Sequence, residues 1–146
     1  MTAMYPGSGE DIRLASAVGG GAPTSDPGNE VKTATGGDIM EFNVSSPGGT
    51  FTCQNYYLLG TVAATGAPPT PIVPDLWVDP FGFITLVGSL DPTLGFPLMG
   101  PSGTSTFWLT PTGFSGLSLY LQALTISPVA NNAAYASADA HEIVFQ

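Results

Sequence analysis

The sequence contains almost no positive charge. Arg13 and Lys32 are the only basic residues among 146, they stand against eleven acidic residues, and the formal net charge is −9. A surface with so few cations cannot neutralise a row of phosphates or attract an anionic membrane. We therefore expect neither nucleic-acid binding nor association with anionic membrane surfaces.

Cysteine and histidine are scarcer still, with one residue of each. Cys53 has no partner for an internal disulfide. A lone thiol in Thr-Phe-Thr-Cys-Gln is most often a small buried residue, and the alternative is a reactive or intermolecular thiol. His141 lies between acidic residues, and the sequence has no Gly-x-Ser-x-Gly motif that would supply a nucleophile for it. We expect His141 to be a surface or hydrogen-bonded structural residue. Transition-metal sites need several His or Cys ligands, so no such site is expected. Because no nucleophile is paired with His141, we also expect no enzymatic activity.

Long apolar runs are missing as well. No uninterrupted apolar segment approaches the roughly 18–20 residues that a membrane-spanning helix needs. Nineteen glycines and fourteen prolines interrupt every apolar segment before it reaches helical length. A hydrophobic content of 43% nevertheless argues against disorder. The sequence therefore predicts one folded domain over residues 1–146, with residues 1–9 as an N-terminal extension and without membrane insertion.

What the sequence does contain is a series of short segments in which apolar and polar residues alternate. This period of two is typical of strands with one buried face. The predicted strands are 12–18, 40–44, 51–63, 76–78, 83–87, 104–110, 117–124 and 143–145. About eight short strands separated by Gly/Pro-rich turns and loops predict an all-β fold. The expected architecture is an antiparallel β-sandwich of the immunoglobulin-like or the jelly-roll type.

Three longer irregular segments separate the predicted strands, at 19–37, 65–74 and 90–103. Loops of this length commonly bind a ligand or pack as compact loops. The first one contains Asp26, Asn29 and Glu30, whose side-chain oxygens are the kind of ligand that calcium prefers. These three residues are candidates for a calcium site. The simpler interpretation is a solvated acidic loop, because no twelve-residue calcium-binding loop is present.

Aromatic residues suggest a second kind of site. The alternation in 104–110 places Trp108 on one face of a strand with two threonines and Phe107 on the opposite face. If Phe107 faces the core, Trp108 lies exposed on a threonine-lined surface, as in β-sandwiches that stack sugar rings. The candidate platform residues are Trp108, Trp77, Tyr56 and Tyr135. The alternative interpretation is a tryptophan that fills the space between two sheets.

Five segments distributed over the whole chain share a resemblance. They are Tyr5-Pro-Gly-Ser-Gly-Glu-Asp-Ile-Arg-Leu, Asn29-Glu-Val-Lys-Thr-Ala, Val44-Ser-Ser-Pro-Gly-Gly-Thr-Phe, Gly116-Leu-Ser-Leu-Tyr-Leu-Gln-Ala-Leu and Ala138-Asp-Ala-His-Glu-Ile. These segments resemble a family of secreted β domains, of unassigned function, that is abundant in planctomycete-type bacteria. The resemblance implies an extracellular or cell-surface location and supplies no catalytic or cofactor-binding residues. In the pattern of that family, the position of Cys53 is more often glycine-like.

Assembly is the third functional hypothesis. The predicted strand edges lack the lysines that commonly prevent strand addition. Residues 1–9 are expected either to pack on their own domain or to reach a neighbouring copy. The sequence thus predicts a non-enzymatic extracellular structural or interaction domain that self-assembles at a surface or in a filament. Its expected partners are copies of itself or other extracellular proteins. The alternative is a carbohydrate-binding module that recognises a polysaccharide.

Overall fold

The regular secondary structure of the described residues consists of β-strands, which turns and loops connect. A computed structural model describes residues 2–25, 27–67, 71, 73–78, 84–87 and 99–146. The described residues form nine strands: β1 Arg13–Val18, β2 Val31–Ala34, β3 Ile39–Ser45, β4 Tyr57–Ala64, β5 Ile84–Val87, β6 Thr104–Leu109, β7 Leu117–Ile126, β8 Tyr135–Ser137 and β9 His141–Phe145. Within these residues no helix is present that is long and apolar enough to cross a membrane.

The strands form two sheets of unequal width. The smaller sheet has three strands in the order β1-β3-β6, and the larger has six in the order β2-β9-β7-β4-β5, with β8 also paired to β7. All pairs between these strands are antiparallel except β2–β9, which is parallel. The all-β prediction is confirmed. The parallel pair departs from the expected antiparallel arrangement, because β2 and β9 are distant in sequence and no hairpin constrains their direction.

The main core lies between the two sheets. Leu14 and Phe42 of the smaller sheet pack with Leu121 and Ile143 of the larger sheet in one buried cluster. The alternation in β1, β3 and β7 predicted the inner-face residues of these strands correctly. Two mostly antiparallel sheets with a shared apolar core are consistent with a β-sandwich.

The larger sheet is also covered on its outer face. Tyr120 of β7 is buried there in a second apolar cluster with Tyr5 and Ala140, and Trp77 packs against this cluster. The ring of Tyr5 lies edge-on to Trp77 at a centroid distance of 5.3 Å and to Tyr120 at 6.0 Å. This second cluster explains why β7 is buried on both faces.

The N-terminal segment, residues 2–9, packs on its own chain. The carbonyl of Tyr5 accepts a hydrogen bond from the Ala140 amide at 2.8 Å, and the Ser8 amide donates to the Ser137 carbonyl at 3.0 Å. Between these two contacts, a Cβ atom at Gly7 would overlap the neighbouring backbone carbonyl oxygens. The structure therefore shows the N-terminal segment packed on its own domain, which is one of the two arrangements expected from the sequence.

Cys53 is exposed, so the expectation of a buried cysteine is wrong. Residues 51–53 form a turn, and the strand predicted over 51–63 begins only at Tyr57. The φ angle of Cys53 is 64°, in the left-handed region that favours glycine. A turn in this conformation interrupts the alternation that had suggested one long strand.

Other differences concern short elements. Segment 76–78 contributes only a single bridge between Val73 and Leu76 instead of a strand. The predicted loop 19–37 contains β2 and a bridge between Thr24 and Ser16. The strands β2 and β8 were not predicted, because Val-Lys-Thr-Ala and Tyr-Ala-Ser do not alternate large apolar with polar side chains. Residues 68–70, 72 and 90–98 of the other two predicted loops lie outside the described residues.

Substitution of Gly7 tests whether the N-terminal segment is clamped tightly. In Gly7→Ala the added methyl group meets the carbonyl oxygens of Ser137 and Ala138, so the segment must shift or detach. We expect the free energy of unfolding, measured by urea denaturation, to fall by about 1–3 kcal/mol. Gly21→Ala is the matched control, because its methyl group meets no atom within 4 Å. Equal stability of both variants would contradict the clamp.

Candidate functional site

The last strand of the smaller sheet carries exposed apolar side chains. β6 pairs with β3 and contains no charged residue. Phe107 is 63% exposed on the outer face of the sheet, opposite Glu41, and Leu109 at the end of the strand is 69% exposed opposite Ile39, which is also exposed. Single exposed apolar residues are common on proteins, but a contiguous group is typical of an interaction surface.

An apolar groove lies beside this strand, between the two sheets. It has a volume of about 390 Å³ and is lined only by apolar residues. Trp108 and Phe114 form part of the groove wall and are each 38% exposed, and Val62 of β4 contributes from the larger sheet. Phe114 is held by an edge-on contact with Phe145 at a centroid distance of 6.0 Å.

We refer to the exposed side chains of Ile39, Val62, Phe107, Trp108, Leu109 and Phe114, together with the groove, as the β6 patch. The exposed side chains come from β3, β4, β6 and the turn after β6, and β7 and β9 add Leu119 and Phe145 to the groove lining. The groove forms where the three-stranded sheet covers the inner face of the wider sheet incompletely. Its chemistry is that of a site for apolar side chains, since no lining side chain carries a hydroxyl, amide, carboxylate or amino group.

Trp108 is the one predicted platform residue that belongs to the β6 patch. The premise that Phe107 faces the core is wrong, because Phe107 is mostly exposed and Trp108 lies on the inner side of β6, opposite the buried Met40. The structure therefore agrees with the alternative interpretation: Trp108 lies between the two sheets, and part of its ring is open to the groove.

The other three platform candidates lie elsewhere. Tyr56 is 1% exposed and presents no ring face to solvent. Burial raises the pKa of its hydroxyl, and the hydroxyls of Thr106 and Thr104 oppose that shift. Trp77 donates its indole N–H to the Pro6 carbonyl at 3.0 Å. Tyr135 donates its hydroxyl to the Pro74 carbonyl at 2.7 Å, so the four residues do not form one surface.

The calcium candidates are only partly described. Asp26 lies outside the described residues. Asn29 is exposed, whereas Glu30 is buried and accepts a hydrogen bond from the Gly28 amide at 2.6 Å. The Glu30 carbonyl accepts from the Glu142 amide at 2.8 Å and so ties this loop to β9. The described His, Cys, Asp and Glu side chains form no group of three that could hold a metal ion.

A buried polar chain connects the two sheets. The Lys32 ammonium donates to the Ser16 hydroxyl at 2.9 Å, and Ser16 lies 2.6 Å from Nδ1 of His141. Because an ammonium group only donates, the Ser16 hydrogen is left for Nδ1 of a neutral imidazole. Ser16 and His141 are fully buried, so this arrangement presents no nucleophile to solvent. The arrangement joins β2, β1 and β9. His141 is therefore a hydrogen-bonded structural residue.

The sequence pattern alone could have indicated these buried hydrogen bonds. Alternation places Ser16 on the inner face of β1, between Leu14 and Val18. His141 stands on the same face of β9 as Ile143 and Phe145. Two polar residues on core-facing positions of different strands indicate a buried hydrogen bond, because an unpaired polar group in the core is costly.

Burial controls the protonation of His141. Removal from water lowers the pKa of His141 from 6.5 to about 3, and the positive charge of Lys32 acts in the same direction. Burial also lowers the pKa of Lys32, and the charge of Glu30 opposes this shift. His141 is therefore neutral in the folded state over the physiological pH range.

A second buried group surrounds Glu142 on the outer face of the larger sheet. The hydroxyls of Tyr5 and Tyr120 donate to its carboxylate at 3.2 and 2.8 Å. Burial, followed by the charge of Glu142, raises the pKa of Tyr5 to about 12. Burial and the hydrogen bond to Glu142 raise the pKa of Tyr120 as well. All three side chains are buried, so this group holds the N-terminal segment and offers no accessible acid or base.

The buried histidine predicts a specific pH dependence of stability. Because the pKa of His141 is about 6.5 unfolded and about 3 folded, the unfolded state binds more protons between these values. Stability is therefore lost as the pH falls through this window. Between about pH 6.5 and pH 4.5 the wild type should lose about 2 kcal/mol more than His141→Gln, which does not titrate.

Urea denaturation of the two proteins in parallel measures this difference. The carboxylates of the chain titrate in both proteins, so the difference between the two curves isolates His141. Parallel curves over the whole window would show that His141 is not buried in its neutral form.

Comparison with known proteins adds no relative. No protein family, no curated protein and no solved structure matches this chain. The function must therefore be argued from the chain itself, and the β6 patch is the surface that its geometry distinguishes.

Proposed function

We propose that this chain is a non-enzymatic structural or interaction domain that associates with copies of itself, outside the cell or on its surface. The observation that carries the proposal is the β6 patch, where an uncharged strand presents Phe107 and Leu109 next to an apolar groove. Apolar surface of this kind is stabilised when a partner removes it from water. The resemblance to secreted domains and the scarcity of basic residues support the extracellular location.

The distribution of charge supports a copy of the same chain as the partner. Lys32 is partly buried and donates to Ser16, which leaves Arg13 as the more exposed cation among the described residues. With a net charge of −9, two copies repel each other over most of their surface. The β6 patch itself contains no charged side chain, so an apolar contact can form there.

The order of the strands supports the immunoglobulin-like type of sandwich over the jelly roll. In the immunoglobulin fold one sheet contains strands A, B and E, and the other contains C, F and G, with C′ added in variable domains. β1, β3 and β6 correspond to A, B and E by their order, and β5, β4, β7 and β9 correspond to C′, C, F and G. Domains of this type commonly serve recognition and cell-surface roles, which agrees with the proposal.

A carbohydrate-binding module is the second candidate, favoured by the half-exposed ring of Trp108. The groove offers less to a sugar than to an apolar side chain, because its lining contains no hydroxyl, amide or carboxylate side chain. A binding module would stay monomeric, and its tryptophan fluorescence would shift with an oligosaccharide.

A charge placed in the β6 patch tests the proposal. Leu109→Glu adds one acid to the patch, and Ile126→Glu adds the same charge at a similarly exposed position of β7. Light scattering at increasing protein concentration should show association of the wild type and of Ile126→Glu. For Leu109→Glu we expect the association to be weakened at least about tenfold, because a carboxylate would be taken out of water.

Salt gives an independent readout in the same experiment. Added salt screens the repulsion between acidic copies, so the association of the wild type should strengthen with ionic strength. A wild-type protein that stays monomeric at all concentrations would refute the proposal. Equal weakening by both substitutions would show that net charge, and not the β6 patch, controls the association.

A further inference from the structure

An exposed apolar side chain and an apolar groove lie next to each other in the β6 patch. Phe107 projects from the outer side of β6, and the following residue, Trp108, lines the groove on the inner side. Because β6 is an edge strand, a two-fold axis that runs along it in the plane of the sheet places the outer face of one copy on the same side as the inner face of the other. This arrangement allows Phe107 of each copy to face the groove of the other. Such a contact is isologous, which means that both copies use the same surface.

The groove is large enough for this side chain. A cavity of about 150 Å³ lined by apolar residues accommodates benzene. The groove measures about 390 Å³, so it can accept a phenyl ring and leave room for the rings of Trp108 and Phe114 to adjust. An aromatic ring that enters a groove with aromatic walls also gains edge-on contacts.

Charge is compatible with this arrangement. The strand and the groove lining contain no charged residue. The nearest charge on the adjacent strand is Glu41, opposite Phe107 and only partly exposed. In a two-fold arrangement Glu41 of each copy approaches the other, and this repulsion adds to the salt dependence that the net charge produces.

We infer that two copies of this chain form a closed dimer in which Phe107 of each copy inserts into the groove between Val62, Trp108 and Phe114 of the other. The inference rests on the proposed self-association and specifies its partner and its symmetry. Reciprocal insertion fills both grooves, so the association stops at two copies and does not continue into a filament.

Two complementary variants test the reciprocal contact. Phe107→Ala removes the inserted ring and keeps the groove, whereas Val62→Phe fills the groove and keeps the ring. Both positions are exposed, so the core remains intact. Phe114→Trp is a second groove-filling variant in case Val62→Phe misfolds. Ile126→Ala, at an exposed position outside the β6 patch, is the control.

Sedimentation velocity of the single variants and of mixtures gives the result. Each single variant loses both contacts, so its dimerisation should weaken at least about tenfold. An equimolar mixture of Phe107→Ala and Val62→Phe restores one of the two contacts. We therefore expect a heterodimer in the mixture that is weaker than the wild-type dimer and stronger than either variant alone. Ile126→Ala should dimerise as the wild type does.

The outcomes separate the inference from the proposal on which it rests. A wild type that forms dimers unaffected by Phe107→Ala would overturn the inference and leave the self-association standing. Wild-type species that grow beyond two copies, or a mixture no stronger than the single variants, would also overturn it. A monomeric wild type would refute both.

Discussion

The fold depends on the burial of apolar side chains between a three-stranded sheet and a wider six-stranded sheet. Because the two widths differ, the smaller sheet cannot cover the whole inner face of the larger one. Leu14 and Phe42 cover the centre, and the uncovered part towards β4 becomes the groove beside Trp108. The candidate site is thus a consequence of the architecture and needs no separate element to build it.

The outer face of the larger sheet also carries apolar side chains that must be covered. There the N-terminal segment supplies Tyr5, which packs on Tyr120 and Trp77 and donates a hydrogen bond to Glu142. The buried carboxylate accepts both tyrosine hydroxyls, so the cost of burying its charge is offset by hydrogen bonds. In the monomer, no comparable segment among the described residues occupies the groove. A second copy can do so.

The two basic residues have different surroundings. Inside, the ammonium of Lys32 is used to complete the hydrogen bonds of Ser16 and His141 between the sheets. Outside, Arg13 is exposed and its guanidinium contacts Ser25. A surface of acids and neutral residues keeps copies apart except where charge is absent, and β6 is such a place.

Much of the fold could be predicted from the sequence, because β1, β3 and β7 are long enough for alternation to identify both faces. The same rule placed Trp108 and Phe107 on opposite faces but could not decide which face is inside, since the edge of a narrow sheet exposes both. The left-handed φ of Cys53 and the burial of Tyr56 depend on turns and packing that local patterns do not report. Contacts between distant segments, such as Tyr5 with Glu142, leave no local pattern.

The two tryptophans allow the most direct test of the account, because Trp108 lies in the β6 patch and Trp77 lies under the N-terminal segment. The measurement is the position of both indole N–H signals in ¹H–¹⁵N spectra of the wild type as the protein is diluted. The account predicts that the Trp108 signal moves with concentration and that the Trp77 signal stays in place. Two unchanged signals, or movement of Trp77 alone, would contradict it.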